Sequence, residues 1–227
     1  MNFSRVIQEA TGLLFDGLKI TIAVSLIAIV FGLLIGFLTY IMKASKNIVL
    51  RAIASTYVWI IRATPMMVQA FVIYFGLPQV IQQFSPSFRI DSFTASVITL
   101  ALNCGAYMSE IFRGAINAVP NGQIEASRSL GVSSSKTMLK IVIPQALKIA
   151  IPSLVNQFII TVKDTSILSV IGLADLVNKA KGYVGSTYQF FATYILVGVY
   201  YLVFISILMV ISNQVEKRFN YDKKRHY

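Results

Sequence analysis

Of the 227 residues, 56% are hydrophobic and only 13% charged, against roughly 45–50% apolar residues in soluble domains. The apolar runs are continuous instead of alternating, which excludes a β-barrel and implies an all-α integral membrane protein. The formal net charge of +11 lies between the hydrophobic runs and not on aromatic-interleaved stripes, so it is read as orientation against a bilayer, not as a nucleic-acid surface.

A bilayer core of about 30 Å takes roughly 20 helical residues, and five transmembrane helices of that length are predicted in one domain, 1–227. The first covers Gly17 to Met42. It is too long for a signal-peptide core and no small-residue cleavage pattern follows it, so the N-terminus is expected to be retained. Within it, Gly32 and Gly36 form a small-xxx-small face suited to close packing inside the chain. The second span runs from Val58 to Val80 and begins near Arg62-Ala-Thr-Pro65, where the proline starts or kinks the helix. A short loop with Ser-Pro-Ser leads to the third span, Phe93 to Arg113, which holds the lone cysteine, Cys104; no intrachain disulfide is possible.

Asn121 to Pro144 is a polar insertion, helical from Gly122 to Lys136 as a short helix-turn-helix whose first helix Gly131 can end in a left-handed conformation, and continued by a basic amphipathic piece to Lys148. The fourth span is Ile151 to Leu173. A loop containing Gly182 and Gly185 leads to the fifth, Phe190 to Ser212, and the charged tail from Glu216 to Tyr227 is expected to fray.

Orientation follows from the basic residues of alternate loops. Lys43, Lys46, Arg51, Arg113, Arg128, Lys136, Lys140, Lys148 and the tail's Lys217, Arg218, Lys223, Lys224 and Arg225 lie on one side, against Arg5, Arg89, Lys179 and Lys181 on the other. The N-terminus is therefore predicted outside, with the C-terminus and the insertion between helices 3 and 4 in the cytoplasm.

Ionisable groups inside a bilayer point to a cavity, a pathway or a mutual pair. Asn103, Ala106, Tyr107 and Glu110 share one helix face, which reads either as a cavity wall or as a bundle-interior face with Glu110 paired to Arg113 or Arg62. On the fourth span, Lys163 and Asp164 follow Asn156 and Gln157; such a cluster can hold a zwitterion, or its charges can pair with Arg62 and Glu110 and tie helices together. Gln69 faces either cargo or a neighbouring helix. His226 stands alone, so neither a catalytic histidine nor a metal site is expected.

In the insertion, Glu125-Ala126-Ser127, then Gly131, then Ile141-Val142-Ile143-Pro144 closely resemble the EAA signature of membrane subunits of ATP-binding-cassette importers. That signature reads Glu-Ala-Ala, three residues, Gly, nine residues, Ile-x-Leu-Pro; Ser127 and Ile143 depart from it by small or isosteric changes. The stretches Arg62 to Gln69, Tyr74 to Pro78, Ala106-Tyr107 with Glu110 to Gly114, Lys163 to Ser166 and Gly172 to Leu176 narrow the resemblance to the polar amino-acid uptake family.

That resemblance implies a multi-pass permease of a prokaryotic plasma membrane, itself not an enzyme, carrying polar and possibly basic amino acids inward. It implies a second permease copy, cytoplasmic ATPase subunits that bind ATP and Mg, and an external binding protein. Coupling to the ATPases would fall to Gln123, Glu125, Ala126, Ser127, Gly131 and Pro144. Cargo contacts would fall to Asp164, Lys163, Glu110, Asn103, Tyr107, Gln69 and Asn156. Gly131 to Thr137 lacks the glycine that precedes the lysine of a Walker loop, so no cofactor is expected in this chain. An ion-coupled secondary transporter is the alternative; it predicts inverted repeats.

Overall fold

A computed structural model describes residues 3–220, and all of its regular elements there are helical. Phe3–Ala44, Ser92–Asn117, Ser134–Ile171 and Phe190–Gln214 are each long and apolar enough to cross a membrane; Ile48–Ala63 with Met66–Ile81 do so only as a pair bent by 110°. There are thus four spans, or the predicted five if the bent pair counts as one, with the bend at the proline of the second.

Helix α1 (Phe3–Ala44) carries a stripe of mostly small buried residues, including Ala10, Gly17, Thr21, Ser25, Ala28, Gly32, Gly36 and Thr39. Their i, i+3/i+4 spacing puts them on one face, which lets backbones approach closely. A Cβ on Gly32 would stand 2.8 Å from Cys104 Sγ, and one on Gly36 only 2.7 Å from Met108 Cβ. The glycines therefore serve packing within the chain. The helix starts fourteen residues before the predicted Gly17, because Val6, Ala10 and Leu14 bury against Leu176, Ala180 and Tyr183.

Helix α2 (Ile48–Ala63) is capped by Asn47, whose side chain accepts from the Val49 and Leu50 amides, satisfying N–H groups the first turn leaves free. It stops at Thr64, held extended (φ −118°, ψ 145°) before Pro65, as the clash of a proline ring with its predecessor dictates. Helix α3 (Met66–Phe71), a π turn (Val72–Gly76) and α4 (Leu77–Ile81) follow. Helix α5 (Ser92–Asn117), capped by Asp91 accepting from the Thr94 amide, packs along α1 and against α8.

The insertion holds α6 (Asn121–Ser129) and α7 (Ser134–Thr137), separated by the turn expected at Gly131; a π turn (Met138–Val142) then leads without interruption into α8 (Ile143–Asp164). At Thr165 that helix tightens to a 3-10 segment ending at Ile171, and Gly172 closes it in the left-handed conformation (φ +83°). The expected glycine loop is instead helix α9 (Leu176–Thr187), set up by buried Asp175 accepting from the Val177 and Asn178 amides. Gly182 and Gly185 are tolerated there because α9 packs on α1 and α10. Helix α10 spans Phe190–Asn220; Lys223, Lys224, Arg225 and His226 lie outside the described residues.

The core follows from this order. Val24 and Ala28 of α1, Ala70 of α3, Ala95 and Leu100 of α5 and Leu168 and Ile171 of the 3-10 segment form one cluster, so the two irregular helical regions bury against each other. Such backbone persists at membrane depth only where protein or a lined cavity covers it.

Candidate functional site

The break at Thr64–Pro65 frees carbonyls at the end of α2, and Gln69 takes them. Its amide nitrogen donates to Ile61 O (2.8 Å), Thr64 O (3.0 Å) and Thr64 Oγ1 (3.0 Å). Its oxygen accepts from Asn103 Nδ2 of α5 at 3.1 Å. Both side chains are buried, so the pair clamps the broken helix to α5. Of the two readings of Gln69, the structure gives the helix-helix hydrogen bond.

One and two turns further along α5 lie Tyr107 and Glu110. Glu110 is the hub of a charge cluster: Lys43 Nζ reaches Oε1 at 2.6 Å, while Arg113 reaches Oε2 with Nη2 at 2.6 Å and Nε at 3.0 Å. Arg62 Nη1 stands 3.8 Å from the same Oε2 and its guanidinium lies 5.6 Å from the Tyr107 ring centroid. The carboxylate side chain is 16% exposed. A group so placed must be paired to stay ionised, and three cations around it fix the ends of α1, α2 and α5 together. Lys43 has no sequence-level signal for this role, because it lies 67 residues away.

Lys163 and Asp164 end α8 where it narrows to the 3-10 segment. Lys163 is exposed and Asp164 half-buried, and no ion pair within 4 Å joins either to a described residue. The reading that they pair with Arg62 and Glu110 is therefore corrected: Glu110 has spent both oxygens on Lys43 and Arg113. Asn156 is exposed and Gln157, one position on, is buried. Among the described residues, the α8 charges are thus brought to an open face, while Gln69, Asn103 and Glu110 are brought into the bundle.

The insertion is built differently. Its first helix ends in a Schellman motif, with Val132 N–H donating to Ser127 O (3.2 Å) and Gly131 N–H to Arg128 O (3.0 Å). Gly131 takes φ +79°, a conformation that costs a side chain about 1–2 kcal/mol. Ser127 Oγ and Thr137 Oγ1 share a buried 2.9 Å hydrogen bond across the turn, and Gln145 of α8 donates to Gln123. The Ser127 side chain is thus used inside the hairpin, while Ala126 beside it is exposed. Glu125, Ala126, Pro144 and Leu130, the last 84% exposed, face outward. An apolar leucine at the tip of a polar hairpin is the feature that the spacing of the motif did not single out.

Residues 28–221 match the family of binding-protein-dependent transport system inner membrane components. The chain is 37% identical over 218 residues to the arginine transport system permease protein ArtQ of Bacillus subtilis (strain 168), covering 96% of this chain and 97% of that protein. It is 35% identical over 212 residues to the glutamine transport system permease protein GlnP of Escherichia coli (strain K12), covering 93% and 95%. A crystal structure of an amino acid ABC transporter with histidines superposes with a TM-score of 0.90 at 37% identity, over 96% of this chain and 99% of that one. The fold alone is shared with an inward-facing methionine ABC transporter, MetNI, at 19% identity and a TM-score of 0.73. With its apolar spans, satisfied polar clamp and outward hairpin, the chain belongs to the binding-protein-dependent transport system inner membrane components, as a multi-pass permease subunit of an ABC importer for polar amino acids.

Proposed function

We propose that 121–144 is the coupling element of the importer and that the face carrying Lys163 and Asp164 lines the path of the cargo. The N-terminus lies outside and the hairpin and C-terminus in the cytoplasm, as the basic loops require. Two copies of the chain pair around the path, closed twofold pairing being the common solution. Separate cytoplasmic ATPases bind ATP and Mg and receive Gln123, Glu125, Ala126, Leu130 and Gly131, with Pro144 starting the helix behind them. An external binding protein delivers the amino acid.

The observation that carries this reading is the hairpin: a polar, exposed tip fixed by a left-handed glycine, a buried Ser127–Thr137 bond and a direct helical run into α8. Movement of the tip is carried along α8, past the interior Pro152, to Lys163 and Asp164 at its other end. A partner shifts the permease between inward- and outward-facing forms only by binding them unequally, and a rigid tip supplies such a difference. For the cargo, Asp164 offers a carboxylate to the ammonium and Lys163 a cation to the carboxylate, with Asn156 and Tyr107 on exposed faces of the same bundle. A cargo with an extra positive side chain would need Glu110 to give up one of its cations, so a polar zwitterion such as glutamine fits these groups with less rearrangement.

The test is ATP-driven uptake in proteoliposomes holding permease, ATPase and binding protein. Glu125→Ala and Gly131→Ala are expected to lose uptake and cargo-stimulated ATP hydrolysis together. Uptake that persists without any ATPase would replace this reading with ion coupling.

A further inference from the structure

The stretch from Lys43 to Arg62 holds the cations Lys43, Lys46, Arg51 and Arg62 and no Asp or Glu. It comprises the end of α1, the turn capped by Asn47 and nearly all of α2. At 16 residues, α2 is about 24 Å long, shorter than an apolar core of about 30 Å. Both of its ends lie near the same end of α1: Ile48 follows Ala44 after a short turn, and Arg62 meets Lys43 at their shared partner Glu110. With the 110° bend that follows, α2 therefore runs along the membrane face and does not cross it. Only Ala54 and Val58 of this helix are buried. Arg51, Ser55 and Arg62 share one side by their i, i+4 and i+11 spacing, with Trp59 beside them, while Val49, Ile53 and Ile60 are exposed on the other. That division suits a helix lying in the interface with its apolar side among acyl chains.

We propose that α2 and the cleft beside it hold the headgroup of an anionic phospholipid. The cleft, of about 400 Å³, opens on the polar side of the helix and is lined by Lys43, Ser55, Trp59, Arg62 and Glu110. Glu110 keeps its ion pairs to Lys43, Arg62 and Arg113; three cations on one carboxylate leave two positive charges in surplus. Lys46 and Arg51 add to that surplus, because both are exposed and no ion pair within 4 Å joins either to a described residue. The Ser55 hydroxyl, bonded to no described residue, is a further donor to a phosphate oxygen. A phosphodiester at the depth of an interfacial helix meets this field without breaking any bond of the cluster, and the aliphatic stems of Lys46 and Arg51 let their charges reach it. The amphipathic Trp59 ring, 70% exposed, belongs at the same level. That the leaflet is the cytoplasmic one rests on the orientation proposed above.

Trp59 is the only tryptophan of the chain and so reports on the site directly. The full chain is reconstituted in vesicles of phosphatidylcholine with a minor share of phosphatidylglycerol, and one lipid or the other carries brominated, fluorescence-quenching chains. Phosphatidylglycerol is expected to quench Trp59 well beyond its share of the bilayer. Arg51→Gln and Lys46→Gln, at exposed positions without an ion pair, should each lower that preference roughly fivefold. Quenching in proportion to composition, or a preference that neither variant changes, overturns the site. Shielding of Trp59 from both lipids assigns the face to a protein partner, and loss of the preference on adding inorganic phosphate assigns the cleft to a soluble anion; either result also overturns it. The leaflet is tested apart from the lipid. Lys46→Cys should react with a membrane-impermeant thiol reagent only once cells are opened, and reaction in intact cells would reverse the orientation while the lipid preference stands.

Discussion

On the α5 side of the bundle, Gln69, Asn103 and Glu110 are hydrogen-bonded or ion-paired within the chain, whereas Lys163 and Asp164 at the end of α8 carry no such bond. All five are polar residues on or beside apolar spans, yet their surroundings differ: Gln69 and Asn103 are buried and Lys163 is exposed. The satisfied set offsets its desolvation inside the chain and so can hold helices together. The pair without such bonds is the one proposed to meet the cargo. Removing a member of the first set should therefore cost stability, and removing a member of the second should cost transport.

The largest stability effect is expected from Glu110→Ala, which leaves Lys43, Arg62 and Arg113 facing one another. Breaking a buried pair costs about 3–5 kcal/mol; discounted for partial solvation, roughly 2–3 kcal/mol remains, read as a lower melting temperature of the purified permease. A melting point that does not move would end the contrast between the two sets. Gln69→Leu should follow at about 1–2 kcal/mol, because the Ile61 and Thr64 carbonyls and Asn103 lose their partner. At the hairpin, Gly131→Ala should cost about 1 kcal/mol through its φ of +79°, detectable as faster hydrogen exchange across 121–137.

Asp175 sharpens the comparison by pH. Burial pushes its carboxyl up to about 6, against the hydrogen bonds from the Asn178 and Val177 amides that favour its charged form; the cap faces Thr21 of α1, which accepts from the Leu176 amide, and Lys181 of α9. Folding thus favours the protonated acid, and stability should fall as pH rises from about 4 through 6. Asp175→Asn keeps the acceptor for the cap and should flatten that slope; an unaltered slope would assign it to another group. The smallest stability effect, under about 0.5 kcal/mol, is expected for Asp164→Asn, together with loss of uptake. A destabilisation as large as that of Glu110→Ala would place Asp164 among the structural residues.

Much of this was legible in the residues. Proline at 65 announced a defect in the second span, because its ring removes an amide and constrains Thr64. Gly131 announced the left-handed stop of α6, and the pairing of Glu110 with Arg113 was one of two readings its helical spacing allowed. What escaped was mostly long-range. The clamp by Gln69 depends on a bend of 110°, and a kink angle is set by packing and not by the proline alone. Helix α9 escaped because its glycines outweigh its local propensity, and it forms on the strength of a buried cap and the neighbouring helices.

The sequence by itself determined the class, the rough number of spans and the place of the hairpin, since continuous apolar runs, proline, glycine and a polar insertion act through local chemistry and the solvent they prefer. Only the tertiary structure decided which polar groups are satisfied. Lys43 reaches Glu110 across 67 positions, and Ser127 turns inward to Thr137 instead of outward. A hydrogen bond or ion pair requires two groups within about 3 Å, and for residues far apart in the chain the packing of helices, not the spacing of letters, sets that distance.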